Sequence, residues 1–108
     1  MTNYTTDAIL EQFGSQIKLR LGDRLKKVIL FGSKARGDDD PESDYDCLAV
    51  CDEVNREIKD TIDELAGELL YEHNAVFSIF PISEAVYLRK TLDPLLMNVR
   101  REGKVIYG

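Results

Sequence analysis

One stretch, from Val28 to Val50, constrains the fold more than any other part of this chain. Val28-Ile29-Leu30-Phe31 is apolar and stops abruptly at Gly32-Ser33. Ten polar-rich residues follow, then Asp44 and Asp46 with a single residue between them, and the chain turns apolar again from Cys47 to Val50. Short β-branched, apolar runs bounded by turn residues read as buried strands. Two strands joined in this way bring the Gly-Ser turn to the entrance of the strand that carries the acids.

The spacing has chemical content. Residues two apart on a strand share a face and lie about 7 Å apart along the chain. Asp44 and Asp46 therefore repel each other, and a divalent cation offsets the repulsion. Mg²⁺ is usually held by one or two carboxylates together with substrate phosphates. Leu48 and Val50 continue the face of the acids, while Tyr45, Cys47 and Ala49 take the other, so the pair belongs at the rim of the core. Gly32 allows a tight turn and close backbone approach. Ser33 adds a hydroxyl and an N–H, and a helix starting there favours anions. Lys34 and Arg36 are nearby cations. In-line attack on the α-phosphorus of a nucleoside triphosphate needs such a set: a metal, donors for the phosphates and a positioned nucleophile.

Around this stretch the elements read as helix, strand, helix-turn, strand, helix, strand, helix, strand. Thr5 and Thr6 are N-cap candidates for a helix running to about Leu25, with Ile9, Phe13, Ile17 and Leu21 on its apolar face. Lys27 to Phe31 is the first strand, and Gly32 to Gly37 runs into a short helix. Residues 38–43, including Asp38, Asp39 and Asp40, form a proline-broken polar loop. Tyr45 to Val50 is the second strand. Asp52 or Asn55 opens a helix with Val54, Ile58, Ile62, Leu65 and Leu69 as its stripe, ending at His73-Asn74. On its outer face Lys59 and Asp63 can pair. Ala75 to Ile82 is a third strand, and Ser83 caps a short helix. Pro94 and Gly103 bracket another helix, and Lys104 to Tyr107 forms an edge strand. The expected architecture is α/β (α+β), a small mixed sheet of about four strands packed with helices. Residues 1–108 read as a single domain without repeat or linker.

Composition narrows the function. The net charge of −6 argues against direct nucleic-acid binding. No run approaches the roughly 20 apolar residues of a membrane span, and the N-terminus lacks signal-peptide character, so the expectation is a cytoplasmic protein. Cys47 and Cys51 are expected as reduced, partly buried thiols. The single histidine, His73, and the lack of a second cysteine pair speak against zinc. His73 reads as a helix-end residue. Tyr71, Tyr87 and Tyr107 read as core-edge aromatics. Tyr87, Leu88, Leu92, Leu95, Leu96 and Val99 pack on the core or leave an apolar patch.

Gly32-Ser33, ten residues, then Asp44-x-Asp46, with Ala35-Arg36-Gly37 and Ser43 between, resembles the signature of the DNA polymerase β-like nucleotidyltransferase superfamily. The short chain is similar to the minimal nucleotidyltransferases, antitoxins paired with small helical HEPN-class nuclease toxins. The resemblance implies the nucleotidyltransferase fold over most of the 108 residues. It implies Asp44 and Asp46 as catalytic residues and Mg²⁺ ligands, and Gly32, Ser33 and Arg36 as contacts to the nucleotide. An ion pair of Arg36 with Asp38–Asp40 is the alternative for that residue. By the same resemblance, AMP passes from ATP to a hydroxyl, such as a tyrosine of a cognate HEPN toxin, and neutralises it.

The chain departs from the superfamily pattern at one point. Many members carry a third carboxylate on the next core strand. Here Ala75 to Phe80 holds no acid, and Ser78 stands near the expected place. Glu72 and Glu84 flank that strand as substitutes. The alternatives to a transferase that modifies its toxin are a non-catalytic, nucleotide-binding antitoxin that works by complex formation, and a nucleotidyltransferase subunit acting on a small molecule.

Overall fold

The structure, a computed structural model, describes residues 7–37, 44–89 and 92–108. The expected caps Thr5 and Thr6 and the loop of residues 38–43 lie outside the described residues. Helix α1 spans Ala8–Leu21 and is capped by Asp7, whose Oδ1 accepts from the N–H groups of Ile9 and Leu10 at 3.0 and 3.1 Å. It ends four residues before the expected Leu25. Gly22 takes φ 57° and starts a 3-10 turn over Gly22–Arg24, so Leu25 becomes the first residue of strand β1, Leu25–Phe31. Leu25 continues the four-residue apolar rhythm of the helix and is buried, but from a strand.

Helix α2 is a single turn, Ser33–Arg36, closed by Gly37 in the left-handed region. Strand β2 is Tyr45–Cys51. Helix α3, Arg56–His73, starts at Asn55, whose side chain accepts from the Ile58 N–H, and ends at left-handed Asn74. Its one-turn surface ion pair is Arg56–Asp60, at 3.8 Å, rather than Lys59–Asp63. Strand β3, Phe77–Ser83, runs into helix α4, Glu84–Leu88, capped by the Ser83 hydroxyl. Asp93 and Pro94 start helix α5, Pro94–Glu102, and strand β4 is Lys104–Tyr107.

The four strands form one mixed sheet in the order β3-β2-β1-β4. β1 pairs antiparallel with β2 and with β4, while β2 and β3 are parallel, with α3 as the crossover. Alternation along β1 and β2 divides the core. Val28, Leu30, Tyr45, Cys47, Ala49 and Cys51 face α1 and α3, where Phe13, Ile17, Ile58, Leu65 and Leu69 are buried. Phe77 packs there between Phe13 and Tyr45, with ring centroids 4.7 and 4.4 Å away. On the opposite face Ile29, Phe31, Leu48 and Val50 are covered by Leu96 and Val99 of α5, with Tyr87 and Leu95 packed alongside. The remaining apolar candidates split: Leu88 and Leu92 are exposed, as is Tyr71, which corrects its reading as a core-edge aromatic.

Cys47 and Cys51 are both buried free thiols. Arg20 ties α1 to α3 through Glu68, at 2.6 and 3.1 Å. His73 sits in the last turn of α3, with its Nε2 3.0 Å from Gln12 Oε1. No helix among the described residues is long and apolar enough to cross a membrane.

Candidate functional site

The antiparallel register sets Phe31 opposite Asp46, so the chain leaves β1 beside the entrance of β2. Gly32 is the next residue, with φ 78° and ψ −160°, a conformation that L side chains rarely adopt. A Cβ placed on it would lie 2.5 Å from Asp46 Oδ2. The turn and the acid are therefore in contact, and only a residue without a side chain fits between them. The Gly32 carbonyl accepts from the N–H groups of Ala35 and Arg36 at 3.1 and 3.0 Å, which folds Ser33 to Arg36 into the turn of α2.

Asp44 is exposed just before β2, and Asp46 is half-buried as the second residue of the strand. Beyond them Leu48 and Val50 are buried, which places the acids at the rim of the core. Burial, reinforced by the charges of Asp44 and Glu102, pushes the Asp46 carboxyl above its usual range. This is an under-compensated negative cluster of hard oxygen donors, the kind of site that suits Mg²⁺ completed by phosphate oxygens. Among the described residues no group of three or more His, Cys, Asp or Glu side chains is arranged to hold a metal ion. A metal bound at this rim would find oxygen donors in Asp44 and Asp46 and would neutralise phosphate oxygens.

Ser78 lies in register with Asp46 on the neighbouring parallel strand. The place beside Asp46, where the superfamily resemblance led us to expect a third acid, therefore carries a hydroxyl. Neither flanking substitute reaches it. Glu84 begins α4 at the far end of β3, about 20 Å along the strand. Glu72 lies on α3, across the sheet from the Asp46 face, where its charge acts on Arg20.

The carboxylate at this end of the sheet comes from elsewhere. Glu102, the last residue of α5, is carried to the Gly32 turn by the pairing of β4 with β1. Its Oε1 accepts from the Gly32 N–H at 3.1 Å and from Arg36 Nη1 at 3.2 Å, and its Oε2 accepts from Arg36 Nη1 at 3.1 Å. Hydrogen bonding to Arg36, helped by the Gly32 N–H, holds the Glu102 carboxyl below its usual range. Arg36 is thus in an ion pair, with Glu102 as a partner the sequence did not suggest. Lys34 turns to the other face, with its Nζ 4.5 Å from the centroid of the Tyr45 ring. The Tyr45 hydroxyl donates to Asp7 Oδ2 at 2.6 Å, so a single carboxylate caps α1 and anchors the strand of the acids.

A family profile described as "Nucleotidyltransferase domain" matches residues 10–97. The chain belongs to the nucleotidyltransferase domain family. A Methanocaldococcus jannaschii relative, named as a protein adenylyltransferase, is 37% identical to this nucleotidyltransferase over 98 residues, covering 91% of this chain and 94% of the relative. A solved toxin–antitoxin complex with AMP-PNP holds a chain that superposes with a TM-score of 0.65 at 22% identity, over 91% of this chain and 73% of that one. Another, a tri-AMPylated Shewanella oneidensis HEPN toxin with its MNT antitoxin, gives 0.55 at 21% identity, over 93% and 72%. At these identities the likeness to the complexes is one of fold. The mixed sheet with its flanking helices is the nucleotidyltransferase fold.

Proposed function

We propose that this nucleotidyltransferase moves AMP from ATP to a hydroxyl of a partner protein, a HEPN-class toxin, and thereby neutralises it. The observation that carries this reading is the contact between the Gly32 turn and the Asp46 carboxylate, which joins a phosphate-binding backbone to a metal-binding acid. Gly32, Ser33 and Arg36 hold the triphosphate, and Asp44 and Asp46 hold Mg²⁺. When bound, the metal supplies charge neutralisation at the phosphate oxygens.

The acceptor oxygen attacks the α-phosphorus, the bond from that phosphorus to the bridging oxygen of pyrophosphate breaks, and pyrophosphate leaves. The hydroxyl proton passes to solvent, since a serine at position 78 is a poor proton acceptor at neutral pH. The relative named as a protein adenylyltransferase supports a protein acceptor, and the fold shared with the toxin–antitoxin complexes supports the class of partner.

The test is incubation of the chain with labelled ATP, Mg²⁺ and the product of the neighbouring gene. Label should appear on the partner with the wild type and be lost with Asp44→Ala/Asp46→Ala. Equal labelling by both would sink the reading. Ser78 beside Asp46 favours a second reading, an antitoxin that binds nucleotide and neutralises by complex formation alone. In that case the double variant still protects against the toxin.

A further inference from the structure

Glu102 does something the proposed function does not need. It is a carboxylate already seated on donors that the proposed function assigns to the triphosphate. The Gly32 N–H points at Oε1, and the Arg36 guanidinium spans both oxygens of the same carboxylate. The Glu102 side chain is 16% exposed and Arg36 is 47% exposed. The acid is tucked under the turn, while its cation still faces solvent. An amide N–H makes one good hydrogen bond at a time. A phosphate oxygen and Glu102 therefore exclude each other at Gly32. Charge adds to this, since the charges of Asp44 and Glu102 both act on Asp46, and a triphosphate arriving at Arg36 meets the Glu102 charge as well.

We infer that Glu102 is an internal competitor for the nucleotide, holding the Gly32 N–H and Arg36 in the free protein and leaving them when the triphosphate binds. Glu102 thereby sets nucleotide affinity, and the inference rests on the proposed phosphate role of Gly32 and Arg36. The contact also braces the Gly32 turn against α5 in the free protein, so displacement couples nucleotide binding to the end of α5. A purely structural Glu102 would show the brace without the competition.

Calorimetric titration with a non-hydrolysable ATP analogue and Mg²⁺ separates the two. Glu102→Gln keeps an acceptor for the Gly32 N–H but removes the charge. It should bind the analogue about tenfold more tightly than the wild type. The gain should shrink in an Arg36→Ala background, where the contested cation is gone. Equal or weaker binding by a folded Glu102→Gln protein, alongside a wild type that binds, overturns the inference and leaves the proposed function standing. Absence of binding by both proteins removes the nucleotide reading and this inference with it. A second measurement needs no variant. In the wild type, the Glu102 side-chain carboxyl carbon resonance should move towards that of a free glutamate when the analogue is added. A resonance that stays fixed at saturation overturns the competition.

Discussion

Asp46 and Ser78 lie side by side, in register on the parallel strands β2 and β3. Neighbours in register on parallel strands project to the same face, so a carboxylate at position 78 would stand next to Asp46. Ser78→Asp should therefore lower the melting temperature in the absence of metal, because it adds a like charge to the cluster. With Mg²⁺ and ATP it should raise the transfer rate about tenfold or more, since a positioned general base contributes roughly 10²–10⁴. A folded variant with no gain in initial rate would show that proton acceptance does not limit the reaction.

Burial and the charges of Asp44 and Glu102 disfavour the charged form of Asp46. Its native pKa lies above the unfolded value of about 3.9. The native chain therefore binds more protons than the unfolded chain in that window, and this residue's contribution to stability is lost as pH rises through the native value. Glu102 runs the other way: its contribution is present above its unfolded value and lost as pH falls through its depressed native value. Asp46→Asn should leave metal-free stability nearly unchanged near pH 3.5. At pH 7, with the raised carboxyl removed, it should raise the melting temperature. The same substitution should cost at least about a hundredfold in transfer. Thermal melts at the two pH values, with EDTA present, check the sign.

Two glycines should respond in opposite directions to the same change. Gly32→Ala forces a side chain into a glycine-only conformation and onto Asp46 Oδ2, at a cost of about 1–3 kcal/mol before any shift of the acid. Gly14 lies inside α1, and a methyl group there would meet nothing within 4 Å, so Gly14→Ala should stabilise by about 0.5–1 kcal/mol. Urea unfolding of the two variants gives both values, and only Gly32→Ala should also lose labelling of the partner.

The thiols offer a probe of the core. Burial, with a small contribution from the Asp46 charge, pushes the Cys47 thiol far above its ordinary range. Cys51 moves the same way, again chiefly through burial. Thiolate, the reactive form, is therefore scarce in the native state. Alkylation by iodoacetamide at pH 8 should track global unfolding and accelerate with urea. Fast labelling of Cys47 in the native protein would contradict the burial described above.

Much of this architecture was legible because local pattern and burial agree. The α3 stripe from Ile58 to Leu69, the Asn55 cap, Ser83 and the Pro94–Gly103 bracket all sit where their side chains dictate, while Val54 falls before the cap and outside the helix. The end of α1 was misplaced because Leu25 keeps the helical rhythm while belonging to a strand. Gly22, with its positive φ, was the signal that the helix stops. At the site, the placement of Gly32 beside Asp46 follows from two strands meeting in antiparallel register. Glu102 was not legible. It is 70 residues from Gly32, has no periodicity to mark it, and arrives only through the pairing of β4 with β1.

That pairing also sets an order of assembly. β1 meets β2 across a short connection, and β3 joins β2 through the local crossover of α3, whereas Val28 meets Tyr107 from almost the other end of the chain. Closing the longest loop costs the most entropy and is repaid last. In refolding, the three-strand unit should gain its far-UV signal before β4 docks. During that interval the Gly32 turn exists without Glu102 against it. Stopped-flow refolding with a fluorescent ATP analogue present would register this as analogue binding that rises early and then relaxes. A binding signal that only rises, in step with the far-UV signal, would argue that the strands assemble together.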